Sequence, residues 1–303
     1  MLRFLKFAII AIPLLTILAI VPSIRLGILS LLGRSEPCSF RQAVDSFRVL
    51  KDRAERMDAI RNSARALRSD GNFEQWRTRD GDFWIPKRNR ETLFENLAEQ
   101  EQDLYGNGAT GVHAGDIVLD AGANIGVFTR KALQSGAKLV IAIEPAPENV
   151  ESLRRNFAAE IAADRVRVEA VGVWDAESEL SLNIDPDTST RNGFVGTFGA
   201  VAATVKVPVL TIDALVLRNH LEKVDFIKLD IEGAEKRALA GAAVLLSRSQ
   251  PRLAIATEHL DDDAAAIPAL IRGRYPQYKL VCGPCVDMKT FARPDAIYFV
   301  AGN

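Results

Sequence analysis

A strand, a glycine turn and a helix follow one another without a break in the middle of this chain, and they constrain its fold most. The apolar run Ile117–Leu119 ends on Asp120, the turn contains Gly122 and Gly126, and a helical stretch begins at once. Glycines permit positive φ angles and carry no Cβ, so such a backbone can approach a small ligand closely. The pattern predicts a ligand site at the carboxyl end of a parallel sheet.

Apolar strands alternate with helical stretches from a predicted helix at Glu91–Tyr105 to the end of the chain. This alternation predicts an α/β fold of the Rossmann-like, doubly wound type with a mainly parallel sheet. The 303 residues are 48% hydrophobic and 25% charged, which excludes a disordered tail. A net charge of -1 provides no overall attraction for nucleic acid, so we expect no nucleic-acid partner.

The turn differs from that of a dinucleotide site, which would have the pattern GxGxxG. Asp120 occupies the first position, where its carboxylate would repel a pyrophosphate but attract the α-ammonium of S-adenosyl-L-methionine. The next strand ends on Glu144, where a carboxylate accepts ribose hydroxyls. A structural alternative is that both acids only cap the elements that follow them. The predicted cofactor-binding residues are Asp120, Gly122, Asn124, Gly126 and Glu144.

Four segments resemble the FkbM-type S-adenosylmethionine-dependent methyltransferases. They are GDIVLDAGANIGVFT at Gly115–Thr129, IAIEPAPENVESLRRN at Ile141–Asn156, TIDAL at Thr211–Leu215 and VDFIKLDIEGAEKRALAGA at Val224–Ala242. The resemblance covers residues 91–300. It implies that the turn holds the methionine end of the cofactor, that Glu144 holds the ribose, and that the adenine pocket lies near Val166–Asp175. It also implies O-methylation of a hydroxyl, often on a sugar or a polyketide-like molecule.

Acidic residues gather after the predicted fourth strand, Phe226–Leu229. Lys228 interrupts this strand, Asp230 ends it, and Glu232 and Glu235 follow. Neighbouring carboxylates raise one another's pKa, which suits a general base for a hydroxyl, and Lys228 would tune them. Two alternatives remain open, namely a divalent cation site and simple capping of the next helix.

A fifth strand ends at Glu258 and His259, again at the predicted ligand edge. A histidine with a pKa near neutrality can take the proton from an acceptor hydroxyl, although a plain surface histidine is an equal alternative. We therefore predict the catalytic residues to be Asp230, Glu232, His259 and Lys228, with no metal.

The three cysteines are too few for a disulfide framework and favour a reducing compartment. Cys282-Gly-Pro-Cys285 has the spacing of a thioredoxin-like redox motif. That motif normally follows an early strand and opens a helix, whereas this one lies near the end of the chain. We interpret it as an ordinary turn.

The amino-terminal segment Phe7–Val21 contains no charged residue. A helix needs about 20 apolar residues to cross a bilayer, so this segment spans one only with help from its flanks. An uncleaved single-pass anchor with a cytoplasmic catalytic domain is the favoured interpretation. An interfacial amphipathic segment and a cleaved signal peptide are the alternatives.

One long helix is predicted over Phe40–Leu67, because apolar residues recur on one stripe and basic residues cover the other face. The basic face either lies on anionic headgroups or is simply solvated, and the stripe either packs on the main domain or forms a homodimer. A hairpin follows at Asp80-Gly81. The predicted domains are an anchor at 1–33, a helix and hairpin at 34–90, and the catalytic domain at 91–303.

The acceptor is expected to be a small molecule or a glycan, and a membrane location favours a lipid-linked one. Two rival functions use the same fold. A NAD-dependent oxidoreductase predicts a GxGxxG turn, which Asp120 opposes. A non-catalytic, membrane-tethered scaffold predicts that adenosine is not bound tightly.

Overall fold

The computed structural model describes residues 21–188, 192–195, 201 and 203–302. The helices are α1 (Pro22–Leu31), α2 (Phe40–Ser63), α3 (Arg90–Glu101), α4 (Val127–Gln134), α5 (Pro147–Asn156), α6 (Ala158–Ala162), α7 (Ile212–Arg218), α8 (Glu235–Ala240), α9 (Ala243–Arg248) and α10 (Asp263–Arg274). The strands are β1 (Arg65–Asp70), β2 (Phe73–Thr78), β3 (Gly81–Pro86), β4 (Ile117–Ala121), β5 (Leu139–Ile143), β6 (Val166–Glu169), β7 (Gly172–Val173), β8 (Ser178–Ile184), β9 (Ala203–Leu210), β10 (Phe226–Leu229), β11 (Arg252–Ala256), β12 (Tyr278–Cys282), β13 (Cys285–Asp287), β14 (Ala292–Pro294) and β15 (Ala296–Ala301).

A seven-stranded sheet in the order β12-β15-β11-β10-β4-β5-β6 forms the centre of the protein. The strands from β11 to β6 run parallel, and β15 runs antiparallel to both of its neighbours. The chain starts in the middle at β4, moves outward through β5 and β6, and then returns to β10. This topology confirms the predicted mainly parallel α/β sheet.

Both faces of the sheet are buried, because consecutive residues of each strand point to opposite sides. Leu119 and Ile227 belong to one apolar cluster, whereas their neighbours Val118 and Phe226 belong to another. Strands that are covered on both faces consist of nearly continuous apolar residues, which explains why β5 is LVIAI with every residue buried.

Helix α2 begins at a capping box, in which the Ser39 hydroxyl accepts from the Gln42 amide and the Gln42 side chain accepts from the Ser39 amide. The helix ends at Ser63, so the prediction of one helix through Leu67 is wrong at its end. Arg65–Asp70 instead forms β1, which pairs with β2 beside the predicted hairpin of β2 and β3.

The amino-terminal part of the described chain packs on this framework. In α1, Leu26 and Gly27 are buried, and the α1 backbone comes close to the ring of Phe40 at Gly27. Within the described residues, none of the helices is both long and apolar enough to cross a bilayer. The predicted transmembrane helix therefore has no support, and all of Phe7–Val21 except Val21 lies outside the described residues.

A disulfide joins Cys38 to Cys285, with 6.3 Å between their Cα atoms. Both half-cystines are buried, and Cys282 keeps a free thiol. The inference of reduced thiols from a count of three cysteines is thus wrong for this pair. It failed because the partners are 247 residues apart in sequence and only the fold brings them together. The turn between Cys282 and Cys285 joins β12 to β13, as predicted.

Candidate active site

A cavity of about 350 Å³ lies at the carboxyl edge of the parallel strands. It is at the point where β4 neighbours β10, with Lys228 in register with Asp120. Because the chain leaves β4 toward β5 but approaches β10 from the other side, the loops after these two strands diverge and leave a crevice. The residues that follow β4, β5, β10 and β11 line this cavity.

The glycine turn after β4 passes very close to β10. At Gly122, φ is +77°, and a Cβ there would lie 1.8 Å from the carbonyl oxygen of Asp230. At Gly126, φ is +92°, and a Cβ would lie 2.2 Å from the ring of Phe157. Only glycine fits either position. The turn is thereby held against the sheet, and Gly122 and Asn124 face the cavity.

Asp120 itself does not line the cavity. Its side chain is fully buried, its Oδ2 atom accepts a 2.6 Å hydrogen bond from the Thr129 hydroxyl, and its Oδ1 atom lies 3.3 Å from the Lys228 ammonium. These contacts indicate a structural role for Asp120, and the predicted attraction between its carboxylate and the cofactor's ammonium stays a prediction. The carboxylate is already neutralised behind the turn, and it holds Lys228 in place.

Glu144 is buried at the end of β5 and lines the cavity. Its Oε2 atom accepts from the Asn124 amide and its Oε1 atom from the Ala146 amide, both at 2.9 Å. Burial raises the pKa of Glu144 to about 7, although these amides act in the opposite direction. The carboxylate is thus fixed in orientation, with lone pairs left for a ligand hydroxyl.

Apolar residues after β6 form the wall near Glu144. Val171 and Gly172, from the predicted adenine region, line the cavity together with Val173. Trp174 is not among the lining residues of the described chain and packs edge-on against Phe194.

Lys228 is a buried cation of the site, with only 3% of its side chain exposed. Its Nζ atom donates to the Gly122 carbonyl oxygen at 2.8 Å and lies 3.5 Å from Asp230. Burial alone would lower the pKa of Lys228, but the charges of Asp120 and Asp230 raise it above its usual value. Lys228 is therefore a fixed positive charge and does not act as a base.

Asp230 stays ionised. Burial alone would raise its pKa, but Lys228, His259 and a 2.7 Å hydrogen bond from the Tyr105 hydroxyl hold the pKa below its usual value. Burial and the Asp230 charge in turn raise the pKa of Tyr105 well above its usual range, so the phenol keeps its proton.

His259 lies among three carboxylates. Its Nδ1 atom is 3.0 Å from Glu235, and its Nε2 atom is 3.4 Å from Asp230 and 3.6 Å from Glu232. Burial alone would lower the pKa of His259, but these carboxylates raise it well above its usual value. These contacts favour a protonated imidazole over the predicted near-neutral base, and a catalytic role of His259 stays a prediction.

Glu232 is the group of this cluster whose pKa lies close to the physiological range. Burial and the nearby carboxylates raise it to about 8, against the attraction of His259. Its backbone has φ +55°, a left-handed conformation that is uncommon outside glycine and gathers at functional sites.

The structure thus brings together all four predicted catalytic residues. Asp230, Glu232 and His259 also offer ligand atoms within 4.8 Å of one another, and two carboxylates with an imidazole are a set that a divalent transition metal can bind. In the described structure their charges compensate one another, and the prediction of a metal-free site stays a prediction.

Several lining residues escaped the sequence analysis because they come from distant segments. Tyr105 follows α3, which itself contributes Glu95 and Glu99, and Arg293 belongs to β14. None lies in a motif. The clearest usable signal was Tyr105, an aromatic residue between a helix and a glycine-containing loop.

Helix α2 reaches the wall of the site through Arg53. This buried side chain forms an ion pair with Asp295, lies 3.3 Å from Glu99, and donates to Gln102. Burial nevertheless raises the pKa of Glu99 to about 8. Of the alternatives for this helix, packing on the main domain is the one observed, and Arg53 is not part of a solvated face.

Comparisons with known proteins indicate the family to which this chain belongs. The profile of the Methyltransferase FkbM domain matches residues 120–275. The 31-O-demethyl-FK506 methyltransferase FkbM of Streptomyces tacrolimicus is 26% identical over 189 residues, which are 52% of this chain and 72% of that protein. Methyltransferase sdnD of Sordaria araneosa is 29% identical over 157 residues, 41% of this chain and 59% of that protein.

A crystal structure of Methyltransferase FkbM from Methylobacillus flagellatus KT is also similar, with 18% identity and a TM-score of 0.46. The superposition covers 88% of this chain and 64% of that one. The matched range spans the turn after β4, Glu144, Lys228, Asp230 and His259. The chain belongs to the FkbM family of methyltransferases.

Proposed function

We propose that this protein transfers a methyl group from S-adenosyl-L-methionine to a hydroxyl of a neutral, hydroxyl-rich acceptor such as a carbohydrate. One observation carries the proposal. Glu144 and the Asp230 cluster line one cavity from strands on opposite sides of β4. Adjacent strands are about 4.8 Å apart, so the two groups are separated by about 10 Å, enough for a cofactor and an acceptor to meet between them.

The cofactor end of the cavity has the chemistry that an adenosine requires. Glu144 offers a fixed carboxylate for ribose hydroxyls, Val171 and Val173 offer apolar surface for a base, and Gly122 lets the turn approach closely. When bound, S-adenosylmethionine would supply an electrophilic methyl group. Asp120 acts from behind as a positioning residue for Lys228.

At the other end, Glu232 is our proposed proton acceptor. With a pKa of about 8, it is a stronger base than an ordinary carboxylate and is partly ionised near neutrality. Asp230 is less suited, because Tyr105, Lys228 and His259 already neutralise it. It serves to orient these three groups around the acceptor.

The acceptor class follows from the charges of the remaining wall. Glu95, Glu99, Glu232 and Glu258 line the cavity, with Arg293 as a nearby cation. With pKa values of about 8, Glu99 and Glu232 are mostly protonated near neutrality, so they donate hydrogen bonds to hydroxyls as well as accepting them, and in their ionised form they repel phosphate and carboxylate groups. The wall therefore favours a neutral polyol over an anionic acceptor. A membrane-borne glycan remains compatible with it.

Calorimetric titration of the full-length protein with S-adenosylhomocysteine and, separately, with NAD tests the proposal. We expect S-adenosylhomocysteine alone to bind. Binding of NAD alone would indicate an oxidoreductase. Binding of neither compound would contradict both enzyme functions and favour the non-catalytic scaffold. Incubation with labelled S-adenosylmethionine and polyol acceptors then tests the transfer itself.

A further inference from the structure

Helix α1 presents an apolar face to solvent. Its Ile24, Ile28 and Leu31 side chains are 40%, 40% and 80% exposed, and the following Leu32 is 67% exposed. The spacing of four and then three residues places the first three on one side of the helix. The opposite side is buried at Leu26 against the protein. Four exposed apolar side chains so close together in one short segment are an unusual concentration on a protein surface.

The exposed face continues into the turn between β13 and β14. Arg25 of α1 donates to the Lys289 carbonyl oxygen of this turn and to the Asp287 carboxylate at the end of β13. Met288 and Phe291 of the same turn are each 37% exposed. We call Ile24, Ile28, Leu31, Leu32, Met288 and Phe291 together the apolar face.

The sequence on either side of α1 indicates what this face contacts. The chain that leads directly into α1 is uncharged from Phe7 to Ile20. Arg34, which follows α1, and Lys289, in the turn between β13 and β14, are exposed beside the apolar face. Glu36 is a nearby acid. Apolar side chains bordered by cations are the pattern of a surface that rests in a bilayer interface containing anionic lipids.

The apolar face is also close to the candidate active site along the chain. Phe291 immediately precedes β14, and Arg293 of β14 lines the cavity. The Arg293 guanidinium donates to the Glu258 carbonyl oxygen at 2.7 Å, which ties this strand to the cavity wall. A surface that contacts lipid at Phe291 therefore holds the cavity close to that lipid.

We propose that the apolar face docks into the interfacial region of a lipid bilayer, without crossing it. The proposal rests on the exposure of these residues and the adjoining sequence, and it stands even if the enzyme uses a different cofactor. Docking would present the cavity to an acceptor carried by the membrane.

The test uses the full-length protein, reconstituted in vesicles that contain phosphatidylglycerol. A fluorophore is attached to Leu31→Cys or Ile28→Cys in a Cys282→Ser background, so that the buried disulfide remains and the free thiol does not react. The matched control is Leu217→Cys on α7, which is 77% exposed and lies outside the apolar face. Quenchers are nitroxides placed at shallow or deep positions of the lipid acyl chain.

We expect shallow quenching at least about threefold stronger at the two α1 positions than at Leu217, with deep quenching weaker than shallow. Equal quenching at all positions would overturn the proposal. So would energy transfer between labelled copies with no lipid quenching, which would show a second copy on the face. If the deep quencher acted more strongly than the shallow one, the proposal of interfacial docking would be contradicted, and insertion across the bilayer would be indicated instead.

Discussion

Lys228 and Asp120 occupy paired positions on adjacent parallel strands, and their charged atoms lie 3.3 Å apart with both side chains buried. This ion pair joins the two strands at the point where the ligand crevice opens. It connects the turn after β4 with the acidic cluster after β10, because the same Lys228 also contacts Gly122 and Asp230.

Asp120→Asn should lower the free energy of unfolding by about 3 kcal/mol, because it leaves a buried ammonium with less compensation. Denaturant unfolding measures this. Asp45→Asn, in an exposed pair with Arg41, is the matched control and should cost less than about 1 kcal/mol. Adding Lys228→Met to Asp120→Asn should cost less than the sum of the two single changes. Equal losses for Asp120→Asn and Asp45→Asn would contradict a structural role for this pair.

Glu144→Gln should weaken binding of S-adenosylhomocysteine about tenfold or more, because a charged acceptor of hydrogen bonds becomes a neutral amide. Calorimetry of the full-length protein provides the measurement. Glu151→Gln on α5, in a half-buried pair with Arg155 outside the cavity, should leave the affinity unchanged. Unaltered affinity in Glu144→Gln would show that the ribose is not bound there.

Stability should fall as pH rises from about 5 to about 8. Burial raises the pKa values of Glu99 and Glu232 to about 8 and of Glu144 to about 7. In this range the folded protein holds protons that the unfolded chain has released, and each one changes the free energy of unfolding by about 1.4 kcal/mol per pH unit. The tightly held proton of His259 acts in the same direction.

Glu99→Gln should flatten this decline, since an amide resembles the protonated carboxyl that the folded state prefers. Denaturant unfolding at several pH values tests this, with Glu55→Gln on the exposed side of α2 as the control. The same slope in Glu99→Gln as in the wild type would show that Glu99 titrates normally.

Cys38→Ser should lower the free energy of unfolding by about 2–5 kcal/mol, because the disulfide closes a long loop in the unfolded chain. Cys282→Ser, which removes the free thiol, should have a much smaller effect. Thermal unfolding of the two variants side by side distinguishes them. Equal unfolding temperatures of the two variants would indicate that Cys38 and Cys285 are not joined in the purified protein.

The ligand site at the carboxyl edge of the sheet could be predicted from the sequence, because each strand there is followed directly by its turn or its acidic residue. Gly122, Glu144 and Asp230 were found in this way, as the ends of parallel strands meet at one edge. The end of α2 was missed because Arg65–Asp70 is exposed along its whole length and gains its strand structure only from pairing with β2.

Contacts between residues that are far apart in the chain could not be predicted from the sequence. Tyr105 contacts Asp230 and Arg53 contacts Asp295 over separations of 125 and 242 residues. The proton affinity of His259 depends on three carboxylates, and their distances from the imidazole cannot be predicted from their spacing in the sequence. Sequence patterns therefore located the groups of the site, whereas their charge states needed the packing.

The most direct test follows labelled methyl from S-adenosylmethionine to polyol acceptors as a function of pH, in the wild type and in Glu232→Gln. We predict transfer whose kcat/KM rises through an apparent pKa of about 8. In Glu232→Gln we predict a loss of at least about a hundredfold and the disappearance of that rise. Absence of transfer to any hydroxyl, or an unchanged pH profile in Glu232→Gln, would contradict the account.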